Sequence, residues 1–266
     1  MFNLDYWFIF PLALLGAIVA NATGAGGGVV FVPAFHMLGI SADSIIATSF
    51  AIQCFGMTAG MLAWRRLAME RQVSVDELER VTWLSYPSMI RRLALPAIVG
   101  VLIGQFIITL ESAEQVRLLF KSFSIVFGIS ILLTTLYLVR LPGVLSPLNL
   151  TNPIKFFLAF VSLIGGTITA WLSIGVGELV AVMLILMRFP VRYAIGVAVS
   201  ISAISVWVGV QYYVWFESTI SYQVLIFAAP AALIGGSIAK RVVSYFTPVQ
   251  LKVFIATWIL ISAVVM

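Results

Sequence analysis

The sequence predicts an all-α membrane protein of about ten transmembrane segments, two of them short, arranged as two inverted repeats. Three observations predict it: composition, the spacing of apolar segments, and glycines that recur at a constant offset. Of the 266 residues, 62% are apolar and 9% are charged, and the mean hydropathy is +1.13. A soluble domain carries about 25% charged residues, so this chain has too little polar surface to face water as a globule. Ten of its 25 charged residues fall between Arg65 and Arg92, which leaves the rest of the chain still more apolar. Soluble enzymes, nucleic-acid binders and secreted disulfide scaffolds are excluded together. Cys54 is the only cysteine, so no intrachain disulfide forms. The net charge of +5 reads as Lys and Arg retained in cytoplasmic loops, not as a polyanion site.

A spanning helix needs about 20 apolar residues to cross about 30 Å of hydrocarbon. Breaking the chain at charges, Pro and Gly clusters gives segments 5–23, 28–40, 43–64, 93–110, 115–139, 153–173, 177–189, 191–215, 221–239 and 248–266. Segments 28–40 and 177–189 are too short to span, because helices of that length cover only about 20 Å. The N-terminal residues carry Asp5 and no Lys or Arg, so segment 5–23 lacks the basic start of a signal peptide. Arg65, Arg66, Arg71, Arg80, Arg91 and Arg92 fix 65–92 as cytoplasmic. That stretch mixes both charge signs and reads as a short amphipathic helix. With ten crossings, Arg140, Lys155, Arg188, Arg192, Lys240 and Arg241 share its side and both termini lie outside. Trp7, Trp64, Trp83 and Trp215 then fall near the interfaces, as belt anchors do.

Adding 149 to Gly16, Gly26, Gly28 and Gly60 gives Gly165, Gly175, Gly177 and Gly209, and Ile46-Ala47 meets Ile195-Gly196. Further on the offset becomes 135, where Gly100 meets Gly235, Gln115 meets Gln250 and Arg117 meets Lys252. The chain therefore reads as a first repeat at 1–140, a linker at 141–152 and a second repeat at 153–266. An odd number of crossings per copy inverts the second copy, a recurring design of secondary transporters.

Between the first two segments lies Asn21-Ala22-Thr23-Gly24-Ala25-Gly26-Gly27-Gly28. Successive backbone N–H groups in such a run form an anion-binding concavity, and the helix starting at Gly28 adds its positive dipole end. Close helix packing through small residues would explain the glycines without a ligand. The second copy repeats the arrangement as Ser173-Ile174-Gly175-Val176-Gly177, again beside a short segment. Paired short, Gly-interrupted segments are the best sequence pointer to a transporter site. Thr48, Ser49, Gln53, Thr169 and Ser173 add uncharged donors for an oxyanion, although each can also bond its own helix backbone.

The run Gly24-Ala25-Gly26-Gly27-Gly28 with Pro33, Gly39 and Ala47-Thr48-Ser49 resembles the signature of the TauE/SafE-type sulfite exporter family. The resemblance extends over nearly the whole chain, including Pro96, Gly100 and the second glycine run. It implies a multi-pass protein of the cell inner membrane that moves sulfite, organosulfonates or related sulfur-containing anions. The second copy departs from the first, with Gly196-Val197-Ala198 in place of the hydroxyls and Glu178 where the first copy has Val29.

Glu178 is a carboxylate at the start of a short apolar helix, where it would either bind a coupling proton or cap the helix N-terminus. His36, the only histidine, and Asp43, beside Ser41 at a helix start, are the other proton-coupling candidates. Arg117 and Lys121 share one helix face; Arg117 and Lys252 read as snorkelling to headgroups, while Lys121 either snorkels or attracts anions. No nucleotide loop, HExxH or second histidine is present. The expectation is a non-enzymatic secondary transporter without metal or cofactor, whose partners are a small anion, the bilayer and coupling protons, with a homo-oligomer compatible. The alternatives are a drug/metabolite-type exporter of a neutral or cationic solute, and a membrane assembly factor that transports nothing.

Overall fold

A computed structural model describes residues 6–74, 76–110, 112–138 and 150–265, with the side chains of 42, 43, 78, 113, 134, 136–138, 248, 251, 252, 255 and 265 excepted. The expected linker, 141–152, therefore lies outside the described residues except for 150–152. The described residues form helices and no strand: α1 (Ile9–Thr23), α2 (Gly28–Met37), α3 (Ala42–Arg71), α4 (Glu77–Leu84), α5 (Tyr86–Phe106), α6 (Ala113–Leu138), α7 (Asn152–Leu172), α8 (Val176–Leu186), α9 (Val191–Tyr212), α10 (Tyr222–Ser244) and α11 (Pro248–Val265). A π-helical turn, Tyr213–Glu217, continues α9.

Ten of these helices correspond to the ten apolar segments. Six are long and apolar enough to cross a membrane, while α1, α2 and α8 are shorter. The stretch 65–92 differs from expectation. α3 runs on as far as Arg71, and α4 and α5 divide the remainder, with α5 starting at Tyr86. Strong helix formers at Arg65, Arg66, Leu67, Ala68, Met69 and Glu70 carry α3 beyond its apolar part.

The short helices do not extend the helices before them. A Cβ placed on Gly16 of α1 would lie 2.9 Å from Phe31 Cε1 and 3.0 Å from Val30 Cγ1 of α2. In the other half, a Cβ on Gly165 of α7 would lie 2.8 Å from Val176 Cα of α8. Each short helix thus folds back on its predecessor, giving two helical hairpins, α1–α2 and α7–α8.

α3 and α9 are the most enclosed of the six long helices. They run antiparallel: Phe50 meets Gly209, Cys54 Sγ bonds Val206 O at 3.5 Å, and Trp64 meets Gly196. α10 packs along α1 and α3, α5 packs along α7 and α9, and α6 pairs with α11. Glycine makes these crossings close. A Cβ at Gly100 would fall on the carbonyl oxygen of Leu163, and one at Gly235 on that of Leu14. Leu163 stands 149 after Leu14, and Gly235 stands 135 after Gly100, so one crossing reproduces the other. Small residues at such crossings let backbones touch where lipid offers no hydrophobic drive for association.

Of the four tryptophans read as belt anchors, Trp7 and Trp215 are exposed, whereas Trp64 and Trp83 are buried. Trp64 Nε1 donates to Asn21 O at 3.1 Å, and Trp83 packs against Tyr86 and Tyr193. The length of α3 explains Trp64, which lies inside the helix and not at its end. Arg117 and Lys121 are exposed.

Candidate functional site

The tips of the two hairpins meet in the middle of the molecule. α1 ends on Gly24 at φ 80° and α7 on Ser173 at φ 59°, both left-handed. These residues are 149 apart, and glycine is the residue that takes this conformation freely. A Cβ at Gly28 would fall on the carbonyl oxygen of Ser173, and one at Gly177 on that of Gly24. Each elbow therefore rests its glycine on the other's helix-ending carbonyl.

One carboxylate joins them. Gly26 N donates to Glu178 Oε1 at 2.7 Å, and Gly175 N donates to Glu178 Oε2 at 2.7 Å. Gly26 and Gly175 stand 149 apart, like the other glycines of the two elbows, so Glu178 bridges one backbone donor from each hairpin. It is 1% exposed, and a buried carboxylate needs such charge-assisted donors to be tolerated. Gln53 makes a second bridge. Its Oε1 accepts from Gly27 N at 2.8 Å, while its Nε2 donates to Ser173 Oγ at 2.7 Å, Ser173 O at 3.1 Å and Ser49 Oγ at 3.1 Å. Ser173 Oγ also lies 2.9 Å from Ser49 Oγ. Thr169 Oγ1 accepts from Val176 N and donates to Gly165 O, both at 2.8 Å, which fastens the second elbow to α7. Thr23 Oγ1 accepts from Ala25 N at 3.2 Å and does the same for the first.

Ser49, Gln53, Thr23, Gly24, Gly26, Gly27, Gly28, Thr169, Ser173, Gly175, Gly177 and Glu178 thus come together. Four candidates lie elsewhere. Thr48 accepts from Ser221 N at 2.9 Å, ahead of α10. Asn21 binds α3, its Nδ2 donating to Gly56 O at 3.2 Å and to Ala17 O at 2.8 Å. His36 is exposed near the far end of α2. The side chain of Asp43 lies outside the described residues.

The 149-residue offset also relates polar contacts that the glycines do not mark. Trp64 bonds the carbonyl of Asn21, and at equivalent positions Tyr213 OH donates to Ala170 O at 3.3 Å. Trp207 Nε1 donates to Thr58 Oγ1 at 2.8 Å, and these two are themselves 149 apart. Ser202, the counterpart of Gln53, is buried beside Gly177 with an unpartnered Oγ. Ser202 escaped sequence reasoning, although the 149 offset from Gln53 points to it. Among the described residues, no group of three His, Cys, Asp or Glu is placed to hold a metal.

A cavity of about 170 Å³ opens between the ends of α5, α7 and α9, lined among others by Gln105, Trp171, Tyr212, Tyr213 and Glu217. It also touches Ala170, one turn before the second elbow. At the opposite ends of α5 and α9 the corresponding space is filled. Trp83, Tyr86 and Tyr193 pack there with ring centroids 5.6–6.0 Å apart, and Tyr86 OH donates to Gly196 O at 2.9 Å.

Six helices long and apolar enough to cross a membrane mark a multi-pass membrane protein, and the family to which the chain belongs is one of transporters. The chain belongs to the sulfite exporter TauE/SafE family, which matches residues 9–266. No curated protein and no solved structure gives a match.

Proposed function

We propose that this chain is a secondary transporter of the cell inner membrane for a small sulfur-containing anion, sulfite or an organosulfonate, bound where the elbows meet. The observation that carries this reading is the Glu178 bridge. Backbone donors from both hairpins hold a carboxylate, and a sulfur oxyanion offers the same donors the same kind of acceptor. In this closed arrangement Glu178 and Gln53 fill the donors themselves. A protonated carboxyl keeps only one good acceptor oxygen, so protonation of Glu178 frees one elbow N–H for the solute. Proton uptake and anion entry are then coupled at one residue.

The residues 1–140 and 153–266 act as two inverted repeats that open alternately. Each hairpin enters from one face and returns to it, so that α3 begins on the face where α1 began and α9 on the face where α7 began. This route keeps Arg65 to Arg92, Lys155, Arg188, Arg192, Lys240 and Arg241 on the cytoplasmic face, as ten crossings would. The Lys240 Nζ to Glu70 Oε1 pair at 3.8 Å supports it by bringing the C-terminal ends of α10 and α3 together. On that face the aromatic cluster of Trp83, Tyr86 and Tyr193 closes the path, and the 170 Å³ cavity opens on the other.

Flux of radiolabelled sulfite and sulfonate into proteoliposomes, with and without a proton gradient, tests the proposal. Saturable flux accelerated by the gradient is expected, and Glu178→Gln should lose that acceleration. Absence of sulfite and sulfonate flux, with uptake competed only by an organic cation, would favour a drug/metabolite-type carrier. No flux of any solute would leave an assembly role.

A further inference from the structure

We propose that the cavity between the ends of α5, α7 and α9 is a binding site for a small organic ammonium cation, separate from the anion site at the elbows. Its volume, about 170 Å³, equals that of about five or six water molecules in the liquid, ample for an alkylammonium group.

The charge of the lining selects the ligand. No Lys, Arg or His lines the cavity, and Glu217 is its single charged residue. Among the described residues no Lys or Arg forms a salt bridge with Glu217. An anion would meet a carboxylate there and no cationic lining residue.

Gln105 adds an unanswered acceptor. It is 5% exposed, its Nε2 donates to Gly209 O at 2.8 Å, and its Oε1 has no partner. Turning the amide over would set oxygen against the Gly209 carbonyl, so the orientation is fixed by that bond. A buried acceptor of this kind calls for a donor, and an ammonium group brings N–H donors together with positive charge.

The aromatic residues offer their rings. Trp171 Nε1 is already committed to Gly104 O at 3.1 Å and Ile108 O at 2.6 Å, and Tyr213 OH to Ala170 O. With those polar atoms engaged, the aromatic rings among the lining residues remain to attract an organic cation through their π systems.

The opposite end of the molecule supplies the same chemistry covalently. The counterpart of Gln105, 135 further on, is Lys240, whose ammonium faces the Glu70 carboxylate at 3.8 Å. Where one end of the molecule pairs the Lys240 ammonium with the Glu70 carboxylate, the other has the Glu217 carboxylate, the neutral amide of Gln105 and a space.

Binding of methylammonium chloride to the purified full chain, followed by calorimetry against sodium chloride at equal ionic strength, tests the assignment. Saturable binding of methylammonium is expected. Glu217→Gln, an exposed position whose change does not threaten folding, should weaken it about tenfold, equivalent to about 1.4 kcal/mol. Glu70→Gln, at the opposite end, should bind like the parent. 3-Aminopropanesulfonate binding that Glu217→Gln weakens, with propanesulfonate binding unaffected, would place the ammonium of a sulfonate solute in this cavity; weakening of methylammonium alone would indicate a free amine. The proposal is overturned if the parent shows no saturable binding, if sodium chloride reproduces the heat, or if Glu217→Gln binds methylammonium as tightly as the parent.

Discussion

A single methyl group at Gly28 or Gly177 should force the two elbows apart. At Gly28 a Cβ meets the carbonyl oxygen of Ser173, with Ile174 Cγ2 at 2.7 Å and the Ser173 carbonyl carbon at 2.8 Å. At Gly177 it meets the carbonyl oxygen of Gly24 and the Ser202 hydroxyl. The obstacle in both cases is largely backbone, which cannot rotate aside as a side chain does. Overpacking of this kind costs about 1–3 kcal/mol. Gly26 is the internal comparison, since its nearest atoms are Gln53 Oε1 and Ser173 O at 3.2 Å and one of these is a side-chain end. Gly26→Ala should therefore fall at or below about 1 kcal/mol. Cys54 provides the assay, being the only cysteine and buried, so a thiol-reactive fluorophore reports unfolding during heating. For a loss of about 2 kcal/mol, Gly28→Ala and Gly177→Ala should each lower the midpoint by about 4–8 °C. The double variant should lose less than the sum, because one separation relieves both contacts. Equal shifts at Gly26, Gly28 and Gly177, or full additivity in the double variant, would refute the reciprocal contact.

Glu178→Gln leaves either the Gly26 or the Gly175 N–H without an acceptor, so the same Cys54 assay should show a loss of about 1–3 kcal/mol; an unchanged midpoint would mean that the bridge contributes nothing. Gln53→Leu should cost about as much, because it strips the acceptor from Gly27 N and a donor from Ser173, and a midpoint equal to the parent's would count against the second bridge. For the crossing pattern, single cysteines at positions 112, 146 and 219 in a Cys54→Ser background should label from outside, inside and outside. Labelling of 146 and 219 from one face would sink the inverted arrangement.

The close helix crossings were legible because glycine marks the places where two backbones meet, and a crossing constrains sequence more tightly than an apolar helix face does. Gly28 and Gly177, or Gly100 and Gly235, each sit on a carbonyl of the other half. Glu178 stood out as a carboxylate in an apolar run, but nothing local reveals that it reaches Gly26 N, 152 residues earlier. Direction was harder. An apolar segment shows length and not course, so the folding back of α2 on Gly16 and of α8 on Gly165 could not be read. Trp64 was misplaced because charge at Arg65 and Arg66 suggests a helix end, whereas α3 continues to Arg71. Gln105, Tyr213 and Glu217 gave no signal, since a polar residue near a segment end is ordinary; only their convergence on one cavity distinguishes them.

On the proposed reading, in which an anion binds at the elbows, the bridge formed by Glu178 governs how that anion reaches them. Its carboxylate is tethered one helical turn from the Gly175 donor, so it competes at an effective concentration no dissolved ion matches. Entry is therefore substitution and not addition. An incoming oxyanion gains only the difference between its own bonds and those it displaces, and its apparent affinity is reduced by the fraction of protein in which the carboxylate still holds its place. Weak ions that merely reproduce a carboxylate are screened out by this exchange. An anion succeeds by offering more acceptor oxygens than the two that Glu178 extends, or by arriving when a proton has already withdrawn one of them.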